Sequence, residues 1–330
     1  MAMVSSDPEP SEAAVVPRDI VVVLDHSGSM QGEKMSQAKT ALHQILEGLR
    51  SEDSFSLVRF NGGVVEFAST TLSANPDNIA DAKTFVDSTY AEGGTNIYDA
   101  LSTAFQSLPN QKEHPRYVLF LTDGQATEGE TETKAILEMA NIYNEMKARI
   151  FTFGIGHNVN TYLLDQLAMN SSGDAIYIQP GQNVATAVET FFAQISDPVL
   201  ADPTLNLDAI GAVQLYPSEL GDLFAGQTTT LLGRYDQGAT GIITLSGKAN
   251  GKNETHAFEI TLPEYSVQEA YVPRVWATRH VGSLLQEAKL GNSDPELVEE
   301  VMAIAERFGV VTEFTYFEVD EDGNTYMKYS

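Results

Sequence analysis

The chain has 330 residues, and its 46 acidic residues outnumber its 19 basic residues, which gives a formal net charge of −27 at pH 7. That balance excludes a sequence-independent grip on the phosphate backbone of nucleic acid, because such binding depends on lysine and arginine. Cysteine is absent, so disulfides and thiolate metal sites are excluded, and no apolar run reaches the roughly 18 to 20 residues of a membrane-spanning helix.

Residues 1–18 form a polar, proline-containing leader without the apolar core of a signal peptide. We expect this leader to be a linker or a strand that contributes to a later β-domain. If a signal or an upstream domain belongs to the protein, we expect it to have been removed before residue 1.

Residues 19–197 alternate short apolar runs with amphipathic segments, a pattern typical of a parallel sheet wrapped by helices. The apolar runs are rich in β-branched and aromatic residues, as strands buried on both faces are. The pattern predicts a doubly wound α/β domain with a mostly parallel sheet, and Asn61-Gly62-Gly63 predicts a hairpin turn to one antiparallel edge strand. Strands are predicted at 19–25, 54–60, 116–123, 149–156 and 175–179, and helices at 33–49, 78–88, 97–108, 132–147, 161–169 and 183–195.

The pattern then changes to short alternating strands separated by Gly, Asn and Pro. This change predicts a small β-sandwich domain over residues 198–265. Its clearest strands are predicted at 227–236, 241–250 and 255–262, with a turn at 250–253 between the last two.

Helical spacing returns in residues 266–309 and predicts a pair of helices. The second helix is predicted to begin at Asp294-Pro295, because Asp is a good cap and Pro fits the first turn. Residues 310–330 then predict a terminal β-hairpin whose turn lies at 320–323.

Polar residues follow the first predicted strand at its carboxyl end, which is where open α/β sheets bind ligands. Asp25, Ser27 and Ser29 place one carboxylate and two hydroxyls within a single turn. Thr95 lies in a glycine-rich loop before a helix, and Asp123 ends another predicted strand. We therefore expect three loops to converge at one edge of the sheet. The alternative is that these residues only cap helices and begin turns.

The five side chains offer two carboxylates and three hydroxyls, all of them hard oxygen donors. Such donors suit Mg²⁺, with Mn²⁺ or Ca²⁺ as alternatives, whereas zinc and copper sites favour His and Cys. Hydroxyl ligands leave the divalent charge under-neutralised if the aspartates act partly through water. We therefore expect a protein partner to supply an Asp or Glu carboxylate to the ion.

Three ordered motifs, DHSGSM (25–30), GGTNIYDAL (93–101) and LFLTDGQAT (119–127), resemble the metal-ion-dependent adhesion site of von Willebrand factor type A domains. The resemblance covers residues 19–197. Because three motifs occur in the right order at predicted strand ends, they are far more specific together than any one alone. The resemblance implies a Rossmann-like domain that binds proteins and is not an enzyme.

The same resemblance implies that Ser27, Ser29 and Thr95 are direct metal ligands. It implies that Asp25 and Asp123 act mainly through water or hydrogen bonds. The rim of the site that contacts the partner is predicted to contain four further residues, His26, Met30, Asn96 and Gln125.

A second resemblance lies in residues 272–319, which are similar to the segment that follows the A domain in inter-alpha-trypsin inhibitor heavy-chain-like proteins. The chain departs from that family in three ways. We expect the usual amino-terminal domain to be missing, the sequence ends in MKYS without the Asp-Pro-His-Phe used for attachment to a glycosaminoglycan, and Glu313 stands where proline is common. We expect a bacterial surface protein in an extracytoplasmic or cell-surface location, with a cytoplasmic location as the alternative.

Two other functions stay open at this stage. A metal-dependent hydrolase of phosphates or esters would use the same ion, although the sequence contains neither a G-x-x-x-x-G-K-[ST] loop nor a G-x-S-x-G elbow. A structural scaffold subunit would use the domain to hold a neighbour. The sequence leaves the oligomeric state undetermined.

Overall fold

The computed structural model describes residues 2–5, 17–109, 114–195, 198–217, 220–224, 228–249, 252–266, 271–289, 295–312, 314–319 and 325–329. The first strand in chain order is β1 (Ala2–Ser5), which pairs with a strand far along the chain. The elements that follow it build the central sheet.

A seven-stranded, mostly parallel sheet forms the centre of the first half of the chain. Its inner strands are buried along their whole length, because helices cover both faces. The spatial order is β4-β3-β2-β6-β7-β8, with β5 also paired to β3, so the predicted doubly wound α/β fold is confirmed. The strands are β2 (Asp19–Asp25), β3 (Ser54–Phe60), β4 (Val64–Glu66), β5 (Leu72–Ser73), β6 (Arg116–Thr122), β7 (Arg149–Ile155) and β8 (Ala175–Ile178).

Six helices pack on the two faces of this sheet, because successive side chains of a strand point to opposite sides. In β2, Val22 belongs to the apolar cluster that includes residues of α1, α2 and α6 on one face, whereas Val21 belongs to the cluster that includes residues of α3, α4 and α5 on the other. A short 3₁₀ helix (Gly28–Met30) lies between β2 and the first helix. The helices are α1 (Glu33–Glu47), α2 (Pro76–Asp87), α3 (Ile97–Ser107), α4 (Thr133–Tyr143), α5 (Thr161–Asn170) and α6 (Val184–Gln194).

Most helices differ from the prediction by one or two residues at an end, and α4 ends four residues early. Two of these differences have a clear local cause. Helix α2 begins two residues early, because Asn75 caps it by accepting the Asn78 N–H at 2.9 Å. Helix α4 ends at Tyr143 and does not reach residue 147. The Asn144 side chain binds the backbone of Ala148, donating to its carbonyl at 2.8 Å and accepting its N–H at 2.7 Å. These local bonds replace the next helical turn.

A buried ion pair lies at the amino edge of the sheet, opposite the predicted site. Arg18, just before β2, donates from Nη2 to Asp53 Oδ2 at 2.6 Å and from Nε to Oδ1 at 3.1 Å. Both side chains are fully buried. Asp53 precedes β3, so this bidentate pair ties the starts of two central strands together.

Two smaller sheets form the part of the chain that was predicted to be a β-sandwich. One has the order β1-β12-β10 and the other the order β11-β9-β13-β14. Leu231 of the first sheet and Leu245 of the second belong to one apolar cluster, so the two sheets pack together. Lys252-Asn253 lies in a strand and not in the predicted turn, whose other half, 250–251, lies outside the described residues. The strands are β9 (Pro198–Asn206), β10 (Val213–Tyr216), β11 (Leu223–Phe224), β12 (Thr228–Arg234), β13 (Ala239–Ala249) and β14 (Lys252–Leu262).

Asp222 joins this β-part to the amino edge of the central sheet. Its carboxylate forms a short ion pair with Arg149 at the start of β7 and accepts the Asp202 N–H at 2.9 Å. The Tyr117 hydroxyl at the start of β6 donates to the same carboxylate at 3.4 Å. Burial, together with this carboxylate, raises the pKa of Tyr117 well above its usual value. The joint is therefore polar but largely excluded from water.

The carboxyl-terminal part contains the predicted helical pair, α7 (Val272–Lys289) and α8 (Pro295–Phe308), and two paired strands, β15 (Thr315–Val319) and β16 (Thr325–Tyr329). Strand β15 starts later than predicted, because Thr312 and Thr315 close a turn with an N–H to carbonyl bond of 3.1 Å. The predicted cap at Asp294 and the turn at 320–323 lie outside the described residues. None of the helices that the structure describes is long and apolar enough to cross a membrane.

Candidate metal centre

Two neighbouring strands and one loop bring the predicted oxygens to the carboxyl edge of the sheet. β2 and β6 pair in parallel with Leu24 opposite Leu121, so Asp25 and Asp123 leave the sheet side by side. The loop before α3 reaches the same place, because the Gly28 N–H donates to the carbonyl of the neighbouring loop residue Gly93 at 3.0 Å. The three loops therefore meet at one edge.

Asp25 forms the floor of this group, and its side chain is completely buried. Its carboxylate accepts the Ser27 N–H at 2.8 Å and the Thr122 hydroxyl at 2.5 Å. Burial raises the pKa of Asp25 above its usual value; these hydrogen bonds oppose the shift, and the charge of Asp123 adds to it. A cation nearby would offset the cost of keeping this buried carboxylate ionised.

Ser27, Ser29 and Asp123 are linked by a chain of hydrogen bonds. The two serine hydroxyl oxygens lie 3.1 Å apart, and the Ser29 hydroxyl donates to Asp123 Oδ1 at 2.7 Å. The second carboxylate oxygen, Oδ2, accepts from Lys34 Nζ at 2.5 Å. Ser29 is exposed and Asp123 is buried, so the hydroxyl forms the outer side of the group and the carboxylate the inner side.

Thr95 reaches the same group across Gly124. A Cβ atom placed on Gly124 would lie 3.6 Å from the Thr95 hydroxyl oxygen and 3.9 Å from that of Ser29. The Thr127 hydroxyl accepts the Thr95 N–H at 2.9 Å, and the Thr127 N–H donates to the Thr95 carbonyl at 2.9 Å. These two bonds hold the Thr95 loop against the loop that follows β6, and both the Thr95 and the Ser29 hydroxyls lie beside Gly124.

The donor set fits a hard divalent cation. Asp25 and Asp123 bring two negative charges into a mostly buried group, and Lys34 contributes one positive charge against them. The group therefore retains a net negative charge, while the hydroxyls supply neutral oxygen ligands. Within the part of the chain that the structure describes, no group of three or more His, Cys, Asp or Glu side chains could hold a metal ion; the candidate group differs from that pattern because three of its five members are hydroxyl residues.

The predicted rim needs correction, because only Gln125 among its four members is exposed. Met30 is fully buried in the core beneath α1, since the 3₁₀ turn directs its side chain inward. Asn96 caps α3 and accepts the Asp99 N–H at 3.2 Å. These contacts occupy both side chains in the fold.

The fourth rim residue, His26, is also largely buried. Its ring Nδ1 hydrogen-bonds the Tyr90 carbonyl at 2.8 Å. Burial lowers the pKa of His26, and the Tyr90 carbonyl opposes that shift. His26 therefore helps to fix the first loop and is not displayed to a partner.

Three residues of the site carried no signal that the sequence reasoning used. Thr122 and Thr127 orient Asp25 and Thr95, and both lie in the third motif. Lys34 contacts Asp123 across 89 positions of sequence. A lysine in the first turn of the helix that follows the serines could have been noticed, because that turn lies directly behind the loop.

Hard oxygen donors at the carboxyl edge of a doubly wound sheet define a class of α/β ligand-binding domains. The family model for the von Willebrand factor type A domain matches residues 19–193, more than half of this chain. The chain therefore belongs to the von Willebrand factor type A domain family. Domains of this family are protein-interaction modules and often depend on a metal ion.

The chain is also similar to inter-alpha-trypsin inhibitor heavy chains, as predicted. It is 27% identical to heavy chain H4 of Homo sapiens over 297 residues, which cover 84% of this chain and 32% of the relative. It is 27% identical to heavy chain H2 of Sus scrofa over 341 residues, which cover 95% of this chain and 36% of the relative. The chain thus spans about a third of the length of the curated relatives it matches.

Solved structures support the fold. A von Willebrand factor type A protein from Catenulispora acidiphila aligns with a TM-score of 0.63 at 18% identity, covering 99% of this chain and 92% of the other. The ArnB paralog VWA2 from Sulfolobus acidocaldarius aligns with a TM-score of 0.52 at 16% identity, covering 93% and 82%. At this level of identity the likeness concerns the fold alone.

Proposed function

We propose that this chain is a Mg²⁺-dependent protein-binding module and not an enzyme. The proposal rests on one observation, the convergence of three loops that carry two carboxylates and three hydroxyls at the carboxyl edge of the sheet. The proposed ligand group consists of Asp25, Ser27, Ser29, Thr95 and Asp123, with Mn²⁺ or Ca²⁺ as alternative ions.

When bound, the ion would supply concentrated positive charge to an anionic partner group. The protein's own part is to hold the oxygens in place before the partner arrives. Thr122 fixes Asp25 from below, and Thr127 fixes the Thr95 loop from the side. Because three of the five proposed ligand residues supply neutral hydroxyls and the two aspartates act partly through water, the direct ligands would leave the charge of the ion under-neutralised, and a carboxylate from a partner protein would complete its shell.

Melting temperature measured against Mg²⁺ concentration tests the ion site. At 100 times the dissociation constant, one bound ion stabilises the folded state by about 2.7 kcal/mol. For a domain of this size that corresponds to a rise of roughly 5–10 °C in the melting temperature. Ser29→Ala and Thr95→Ala should abolish most of the rise, whereas Thr40→Ala, which removes an exposed hydroxyl on α1, should keep it. Equal Mg²⁺ responses in all four proteins would refute the ligand assignment.

A second assay separates binding from catalysis. Immobilised protein should retain acidic peptides in the presence of Mg²⁺ and release them on addition of a chelator. The rival hydrolase predicts Mg²⁺-dependent product formation from phosphate or ester substrates that is lost in Asp123→Ala. The rival scaffold predicts a change in molecular mass on chelation, which light scattering measures.

We also propose an extracytoplasmic or cell-surface location. This proposal rests on the similarity of the chain to inter-alpha-trypsin inhibitor heavy chains. Fractionation of the source cells, followed by detection of the protein in the surface fraction, would test this. Recovery in the cytoplasmic fraction alone would refute it.

A further inference from the structure

Lys34 lies between the candidate metal centre and an open cavity. Its Nζ donates to Asp123 Oδ2 at 2.5 Å and to the Ser29 carbonyl at 3.3 Å, while the side chain is 40% exposed. The cavity has a volume of about 210 Å³ and extends past Gly156 and Gln182. Lys34 therefore borders both the candidate metal centre and the cavity.

The charge of a bound ion would weaken the ion pair between Lys34 and Asp123. In the structure, Lys34 is the cation in contact with Asp123, whose side chain is buried. A divalent ion in the candidate metal centre would bring like charge close to the lysine ammonium, and like charges repel strongly where water is partly excluded. Ion binding thus weakens the hold of Asp123 on Lys34.

The cavity leaves room for the Lys34 ammonium group to move while it stays beside the candidate metal centre. Lysine carries its charge on a flexible four-carbon stem. The end of the side chain lies over Gly156: a Cβ atom placed on that glycine would be 3.8 Å from Lys34 Nζ and 3.9 Å from Lys34 Cε. Since glycine has no side chain and the cavity lies beside it, the ammonium can turn away from Asp123 and remain at the surface. Glu33, the acidic residue beside the cavity, accepts a hydrogen bond from Gln37 at 2.8 Å.

We propose that Lys34 is a partner-binding residue, which gives up Asp123 when the ion binds and then donates to the carboxylate of the partner. This inference rests on the proposed function. The overall charge count supports it: the two aspartates, although they would contact the ion mainly through water or hydrogen bonds, and the divalent ion sum to zero, so Lys34 leaves the loaded site with one positive charge for an acidic group. The partner chemistry is therefore a single Asp or Glu carboxylate bound jointly by the ion and by Lys34.

The two proposed roles of Lys34 predict opposite effects of one substitution on Mg²⁺ binding and on peptide binding. Lys34→Met removes the competitor for Asp123, so Mg²⁺ alone should bind at least threefold more tightly in calorimetry. The same variant removes a donor to the partner, so a capped Gly-Gly-Asp-Gly-Gly peptide at saturating Mg²⁺ should bind at least fivefold more weakly in an NMR titration. Lys34→Arg keeps the charge and should bind the peptide within twofold of the original protein.

Lys83→Met is the matched control, because it removes one partly exposed lysine of α2 that pairs with Glu47 of α1. It should change neither constant. A misfolded variant would bind both Mg²⁺ and the peptide more weakly. Tighter Mg²⁺ binding together with weaker peptide binding therefore cannot come from damage to the fold.

Other results overturn the inference. If Lys34→Met leaves peptide binding unchanged, or fails to strengthen Mg²⁺ binding, Lys34 does not have the proposed role, although the proposed function survives. If the original protein binds no Mg²⁺, or binds Mg²⁺ but not the acidic peptide, the proposed function fails and this inference fails with it.

Discussion

Breaking the buried ion pair between Arg18 and Asp53 should cost the fold more than any surface substitution. Asp53 accepts four hydrogen bonds: from the Arg18 backbone N–H at 3.0 Å, from Arg18 Nε at 3.1 Å and Nη2 at 2.6 Å, and from the Arg50 N–H at 3.0 Å. Asp53→Asn keeps the shape but removes the negative charge, and the guanidinium is left buried without its counter-ion. Removing one partner of a buried pair typically costs about 3–5 kcal/mol.

For a domain of this size, that loss lowers the melting temperature by roughly 6–20 °C, taking about 2–4 °C per kcal/mol. Circular dichroism in the presence of a chelator measures the change without any contribution from a metal ion. The fluorescence of Trp276, the single tryptophan, reports whether the carboxyl-terminal helices stay folded in the variant. Lys83→Met, at an exposed ion pair, is the control and should change stability by about 1 kcal/mol or less.

The double variant Arg18→Met/Asp53→Leu sharpens this prediction. It removes both charges together, so no buried charge is left unpaired, although the Arg18 and Arg50 N–H groups lose the Asp53 carboxylate as acceptor; it should therefore recover part of the loss. If Asp53→Asn melts within 2 °C of the original protein, or if the double variant is less stable than Asp53→Asn, the pair does not act as a buried electrostatic tie and the reasoning is wrong.

Three further changes test the packing and the ionisation of the fold. Gly173→Ala would place a Cβ atom 2.0 Å from the Ile150 carbonyl oxygen, so it should lose roughly 2 kcal/mol or more in urea unfolding, and a neutral effect would contradict that close approach. Gly282→Ala, in the middle of α7 with nothing within 4 Å of the new Cβ atom, should instead gain about 0.5–1 kcal/mol, and a loss would show that the site is more crowded than it looks. Burial and the Asp165 carboxylate, which accepts the Tyr177 hydroxyl at 2.6 Å, raise the pKa of Tyr177. Its contribution is therefore fully present below about pH 10, the unfolded value, and is lost as pH rises through the folded pKa. Tyr177→Phe should accordingly flatten the fall of the melting temperature above pH 10.

The central sheet was predictable because buried parallel strands are continuous apolar runs with polar ends. DIVVVLD and RYVLFLT stand out in the sequence, and their strands β2 and β6 end within one residue of the prediction. The edges were less visible. β5 has only two residues, and β9 contains Pro198 and Pro203, which favour a loop when the sequence is considered alone.

The predicted end of a helix was wrong where a side chain forms hydrogen bonds with the backbone near that end. Asn144 continues an amphipathic pattern, but its amide binds the Ala148 backbone and ends α4. Asn75-Pro76 in turn is a regular helix start, yet the apolar spacing that guided the prediction begins only later. Periodicity locates the middle of a helix, whereas local hydrogen bonds decide its ends.

The oxygens of the candidate site were predictable for a topological reason: parallel strands bring their carboxyl ends to one edge whatever lies between them in sequence. Met30 and Lys34 show the limit of that reasoning. Which way a loop side chain points depends on a single turn of backbone, and the 3₁₀ turn buries Met30. The Lys34 contact with Asp123 joins residues 89 positions apart and depends on how α1 packs behind the loop; the local pattern offers only the position of Lys34 in the first turn of that helix.

The groups that stabilise the fold and the groups of the candidate metal centre lie at opposite edges of the sheet. Buried ion pairs, Arg18 with Asp53 and Arg149 with Asp222, lie at the amino edge, whereas the candidate metal centre lies at the carboxyl edge. A strand of seven residues separates the edges by roughly 20 Å, well beyond the distance at which substitutions usually couple. Asp53→Asn should therefore lower the melting temperature and leave the Mg²⁺ dissociation constant unchanged at a temperature where the variant is folded. A shift in that constant would mean that the strands transmit strain from one edge to the other.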